Sequence, residues 1–296
     1  MINPATGELL ARHPIASAGQ VRAAVEKARV AFRSWSRLAP TDRAAYLSHL
    51  AEILRKHRDD YARTMTLEMG KVIREANAEV DKCAWAADVF AKEGPRFLVV
   101  DSVAEEFTAR FVEQVRTLRV GDPLRPTTDI GPLVNEAQRE EIEGQVKDAV
   151  RKGARVEVGG KRLPGPGWFY EPTVLSRVTR TMRVLREETF GPVAPILAVP
   201  DLDAAVREAN DSEFGLGASL WTQDLKRAEG LVRQIDSGMV FVNGVVKSDP
   251  RMPFGGVKHS GIGRELSRYG LLEMVNIKTV QVFPAKGPSQ TAQPVE

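Results

Sequence analysis

Hydrophobic positions recur every three to four residues through the first third of the chain, the spacing that gathers them on one face of an α-helix. Residues 19–36 place Val21, Val25, Ala28, Ala31, Phe32 and Trp35 at that spacing. After Pro40, Thr41 and Asp42 are suited to cap a second helix, whose stripe is Leu47, Leu50, Ile53 and Leu54. A third helix is predicted from about Tyr61 and a fourth from about Lys71 to Phe90.

From Arg96 the pattern switches to short apolar runs alternating with amphipathic ones. RFLVVD is a short β-rich run, AEEFTARFVEQVRTL and NEAQREEIEGQVKDAVRKG are helices, the second ending at Gly153, and RVEVGG is a strand. PVAPILAV, LDAAVREAN, SLWT, DLKRAEGLVRQI and GMVFVNG continue the alternation. Repeated strand–helix units imply an α/β chain with a mainly parallel sheet and flanking helices, preceded by the N-terminal helical segment. NIKTVQVF predicts one more strand, and PAKGPSQTAQPVE after it is polar and proline-rich enough to be disordered. No internal repeat is visible.

Composition narrows the function classes. With 296 residues, 43% of them hydrophobic and 27% charged, the chain can bury a large core and is not of the disordered class. Its 42 basic and 39 acidic residues are spread evenly, so neither nucleic acid nor a membrane is an expected partner. The single cysteine excludes an internal disulfide framework, and the four histidines lack metal-binding spacing such as HExxH, so no metal site is expected. MINPATGELLARHP has no apolar leader, and no stretch offers eighteen apolar residues, which predicts a soluble, cytoplasmic protein.

Several residues could carry chemistry. MPFGGVKHSGIGRE, residues 252–265, holds Gly255, Gly256, Gly261 and Gly263, a density that implies positive φ or close backbone approach. It reads as a shaped loop from which Phe254 projects, with Arg264 and Glu265 opening a short helix through Tyr269; the plainer alternative is a structural turn. Glu187 and Glu188 precede Phe190 in a turn-rich loop, where a pair of carboxylates ordinarily faces water. By composition Ser248 and Arg251 belong to an ordinary solvated loop, and Asn243 is a turn residue or, the preferred reading, a structural amide. Cys83, in VDKCAWAADVF, shares its helix face with Val80, Ala84 and Ala87 and has no neighbouring base, so a buried, inert thiol is expected.

The run PFGGVKHSGIGRE resembles the C-terminal signature of the aldehyde dehydrogenase superfamily. NPATGE (3–8), TLEMGK (66–71), VGDPL (120–124), DIGPL (129–133), EETFGP (187–192) and NDSEFGLGASLWT (210–222) resemble further family segments in the family's order, so the likeness covers nearly the whole chain. GMVFVNG, VKSDPR and PFGG together resemble the succinate-semialdehyde dehydrogenase-like branch. The resemblance implies an aldehyde dehydrogenase-like fold and NAD- or NADP-dependent oxidation of a small aldehyde, such as succinate semialdehyde, to its acid. It implies that Glu188 receives the hydroxyls of the nicotinamide ribose and that Phe190 packs near the nicotinamide. Phe254 would line the aldehyde tunnel, while Ser248 and Arg251 would meet a distal carboxylate through one donor and a bidentate fork.

The same resemblance marks a loss. Between the helix ending near Gly94 and the strand starting near Arg96, the family carries its nucleotide-binding domain, general-base glutamate and nucleophilic cysteine. No PWNxP, GSTxxG, ELGG or GQxCxAxxR run is present here. Arg96, Phe97 and Leu98 fit either side of such an internal deletion. The expected organisation is a helical remnant of the nucleotide-binding domain (1–95), a partial catalytic domain (96–270), and a C-terminal strand and tail (271–296). No catalytic residue is retained, so the chain is expected to be inactive, to bind NAD or NADP weakly or not at all, and to self-associate through helices that have lost their partner. The alternative is a non-catalytic remnant that only binds or oligomerises.

Overall fold

A computed structural model describes residues 1–35, 37–38, 40–85 and 96–283. The expected junction near Gly94, the fourth helix beyond Trp85, the side chains of Cys83 and Leu47, and the polar tail lie outside the described residues.

The N-terminal segment consists of α1 (Ala18–Trp35), α2 (Pro40–Lys56), α3 (Arg58–Met69) and α4 (Ile73–Trp85). Helix α2 starts on Pro40, where the missing N–H leaves no bond unmade, so Thr41 and Asp42 fall within its first turn and do not precede it as caps. Gly70 closes α3 at φ 76°, and its N–H donates to Thr66 O at 3.0 Å. Helices α3 and α4 pack over Ala62, Ala76 and Val80, whereas α1 buries none of its side chains.

The central sheet contains β1 (Phe97–Val100), β2 (Arg155–Val158), β3 (Thr173–Ser176) and β4 (Val193–Val199), in the order β1-β4-β3-β2. β1, β4 and β3 are parallel, and β2 is an antiparallel edge. Two helices cover its two faces: α5 (Asp101–Arg116) and α6 (Glu136–Arg151). Successive strand residues point to opposite sides. Val174 thus joins Val99, Val112 and Ile196 beneath α5, while its neighbour Leu175 joins Ile142, Val146, Ala149 and Val193 beneath α6.

Beyond the sheet lie α7 (Arg183–Arg186), α8 (Leu202–Asn210), β5 (Phe214–Gly215), β6 (Gly217–Leu220), α9 (Leu225–Val232), β7 (Met239–Val242), β8 (Val257–Lys258) and α10 (Ser267–Glu273). β5 pairs antiparallel with β8, and β6 parallel with β7. The short helix begins at Ser267, later than expected, because Glu265 is engaged in a bridge: Phe254 N donates to Glu265 O at 2.8 Å and Glu265 N to Phe254 O at 2.7 Å. NIKTVQVF forms no strand; Ile277, Val280, Val282 and Phe283 are all exposed. A β-pattern without an adjoining edge has no ladder to satisfy its backbone groups.

Four of the family-like segments converge on one another outside the strands. Trp168 N donates to Pro4 O at 2.9 Å, Ile73 N to Pro123 O at 2.8 Å, and Leu133 N to Trp168 O at 3.0 Å. A Cβ at Gly131 would lie 2.2 Å from Gly70 O, so that approach needs glycine. No described helix is long and apolar enough to cross a membrane.

Candidate active-site loops

The first group of candidate residues sits on the loop that links α7 to β4. Its anchor is Gln145, whose side chain lies on the buried stripe of α6 with Ile142, Val146 and Ala149. Thr189 Oγ1 donates to Gln145 Oε1 at 2.9 Å, and Gln145 Nε2 donates to Glu188 O at 3.3 Å and Glu187 Oε2 at 3.4 Å. Gly191 seals the loop against the same helix, since a Cβ there would stand 2.7 Å from Ile142 Cδ1.

The two adjacent glutamates have different settings. Arg183 Nε donates to both carboxylate oxygens of Glu187, at 2.8 and 2.9 Å, and holds that carboxyl below its ordinary range. Arg183 is itself fixed, since its backbone N–H donates to Asp148 Oδ2 at 3.0 Å and its Nη2 to Glu141 Oε1 at 2.5 Å. Glu188 is half-buried, and Phe190 is 48% exposed. The loop therefore has a fastened backbone and presents an aromatic surface.

The second group occupies the segment after β7. Asn243 closes that strand at φ 52°: its Oδ1 accepts from Thr222 N at 2.9 Å and its Nδ2 donates to Thr222 O at 2.8 Å, the structural amide expected from its position. The glycine loop is packed directly on the start of β7, where a Cβ at Gly238 would lie 1.8 Å from Gly255 O. Arg264 Nη1 ties the loop together by donating to Gly256 O at 2.8 Å and Gly263 O at 2.6 Å. Phe254 is half-buried and fixed through its bridge to Glu265.

Ser248 and Arg251 differ from one another. The Ser248 hydroxyl is buried and has no hydrogen-bond partner among the described residues. Arg251 already uses its fork on Asp249, with Nε to Oδ1 at 2.9 Å and Nη2 to Oδ2 at 2.5 Å. That contact holds the Asp249 carboxyl well below the usual carboxylate range.

These loops are built from the segments that carry the likeness to a known family, and the likeness extends across the chain. The profile described as "Aldehyde dehydrogenase family" matches residues 1–96 and 92–280. The chain belongs to the aldehyde dehydrogenase family. It is 47% identical over 187 residues to succinate-semialdehyde dehydrogenase [NADP(+)] 1 of Mycobacterium ulcerans, an alignment covering 63% of this chain and 41% of that protein. The corresponding figures for succinate-semialdehyde dehydrogenase [NADP(+)] of Mycobacterium avium are 47% over 191 residues, 64% and 40%. The chain thus spans about two-fifths of the length of these relatives. The structure of succinic semialdehyde dehydrogenase from Streptococcus pyogenes in complex with NADP+ shares the fold, with a TM-score of 0.88, 22% identity, and 95% and 99% of the two chains covered.

Gln145 is a functional candidate of this aldehyde dehydrogenase chain that the motifs above do not mark. Its signal was available, because a glutamine three residues after Ile142 and four before Ala149 falls at the helical spacing of that apolar stripe. A polar side chain at a buried stripe position needs a partner, and here the partner is the EETFGP loop.

Proposed function

We propose that the chain carries the aldehyde-binding and nicotinamide-end surfaces of an NAD- or NADP-dependent semialdehyde dehydrogenase, without the nucleophile and general base that complete the oxidation. The observation that carries this reading is the 47% identity to succinate-semialdehyde dehydrogenases. The two parts of the family match overlap at residues 92–96, which supports an internal deletion at that point and the division into 1–95, 96–270 and 271–296.

Glu188 and Phe190 suit the nicotinamide end of the cofactor. A carboxylate accepts two hydrogen bonds from vicinal hydroxyls, and the exposed Phe190 ring gives the base an apolar wall. When bound, the cofactor supplies a hydride acceptor. Its pyrophosphate normally requires a strand–turn–helix of backbone donors, which the family places in the segment this sequence lacks, so NAD and NADP should bind weakly or not at all. Phe254 lines the aldehyde tunnel, Ser248 donates to a distal carboxylate, and Arg251 reaches the same carboxylate by exchanging Asp249 for it.

A second reading, a non-catalytic remnant that self-associates, draws support from α1, where Val25 is 64% and Phe32 58% exposed. Insertion of a family nucleotide-binding and cysteine segment between Gly94 and Arg96 separates the two. The proposal expects reduced nicotinamide from succinate semialdehyde, with Arg251→Ala raising KM more than it lowers kcat. Failure of the restored chain on every aldehyde tried would favour the second reading.

A further inference from the structure

We infer that Gln145 and Thr189 are positioning residues that set the direction in which Glu188 leaves its loop. Gln145 is 1% and Thr189 5% exposed, so their 2.9 Å hydrogen bond is shielded from water. A primary amide placed among apolar side chains must find partners, and every partner Gln145 Nε2 finds outside α6 belongs to the residues that flank or include Glu188. The amide grips the loop at two successive residues, through the carbonyl of Glu188 and the hydroxyl of Thr189. This fixes the peptide plane between them, and with it the Cα–Cβ direction of Glu188. The preceding carboxylate is held separately, with both Glu187 oxygens accepting from Arg183 Nε. The importance of this direction rests on the reading that Glu188 meets a ribose.

The test uses the chain itself. Amide hydrogen exchange is measured over residues 186–192 and over β3 and β4, in the native protein and in Thr189→Val, Thr189→Ser and Gln145→Leu. Valine keeps the shape of threonine and removes the donor; serine keeps the donor. Exchange over 187–191 should rise about tenfold or more in Thr189→Val and Gln145→Leu and stay near native in Thr189→Ser, with β3 and β4 unmoved. Unchanged exchange over 187–191 in a folded Thr189→Val protein overturns the inference, as does an equal rise throughout β3 and β4, which would mean a general packing role. Should Gln145→Leu not fold, the threonine pair still decides.

A second measurement keeps the ribose reading separate. Saturation transfer from the protein to nicotinamide mononucleotide at millimolar concentration should reach the ribose protons in the native and Thr189→Ser proteins and drop in Thr189→Val. A silent native protein showing the expected exchange pattern overturns the ribose reading and leaves the positioning role standing. Full transfer in Thr189→Val overturns the positioning of Glu188 toward the ribose.

Discussion

Arg251 grips Asp249 in a two-pronged contact that leaves the guanidinium fork facing a carboxylate of its own chain. The Arg251 side chain is 83% exposed, so a ligand carboxylate can compete for it, and Asp249 acts as the resident competitor. Asp249→Asn should therefore strengthen binding of succinate, used as a probe for the distal carboxylate, while Arg251→Ala should abolish it. A titration followed by chemical-shift change checks this, and equal succinate affinity in native and Asp249→Asn proteins would contradict it.

The layer beneath α6 should dominate stability. Leu175 is fully buried among Ile142, Val146, Ala149 and Val193, so Leu175→Ala removes apolar surface and leaves a cavity, at a cost of about 2–5 kcal/mol. Chemical denaturation of the two proteins measures the difference; a loss below about 1 kcal/mol would mean that this layer is not closely packed.

Acid should destabilise the fold through specific carboxylates. The backbone N–H of Arg183 lowers Asp148, the Arg162 side chain lowers Glu143, and the Arg183 side chain lowers Glu187. A group whose folded pKa lies below its unfolded value contributes stability above the ordinary carboxylate range and loses it as pH falls through the folded value. The melting temperature should therefore drop between about pH 5 and about pH 3, and the drop should be shallower in Asp148→Asn. A melting temperature that is flat or rises over this interval would refute the linkage.

Helix α1 presents Val21, Val25 and Phe32 to solvent, at 52%, 64% and 58% exposure. Burial of each such side chain is worth roughly 1.5–3 kcal/mol, enough to drive association of unpartnered helices. Sedimentation should show association that rises with concentration, and Val25→Lys should shift the protein toward monomer. A strictly monomeric native protein at all concentrations would contradict this.

Much of the architecture was legible because periodicity reports burial. α1 to α6 appear where stripes at three- and four-residue spacing place them, and β1, β4 and β7 where apolar runs do. β3 was not legible: TVLS is four residues long, and its first three are buried, so no alternation distinguishes it. The C-terminal run NIKTVQVF misled for the opposite reason, having the pattern of a strand but no edge to pair with among the described residues. Glu188 and Phe190 were singled out as candidates through family likeness and not through any physical signal, since a pair of loop carboxylates ordinarily faces water. The tie from Gln145 to Thr189 joins residues 44 positions apart, a relation that only the packed fold reveals.

Under the proposed function, the chain keeps the aldehyde- and nicotinamide-facing surfaces of an aldehyde dehydrogenase without the nucleophile and general base. Loss of a catalytic nucleophile can cost on the order of a millionfold in kcat, and loss of its partner groups adds little beyond that. The decisive measurement is formation of reduced nicotinamide from succinate semialdehyde with NADP or NAD by the purified chain, with host dehydrogenases excluded by mock purification. The account predicts no formation above the enzyme-free control. Turnover that scales with chain concentration would contradict it.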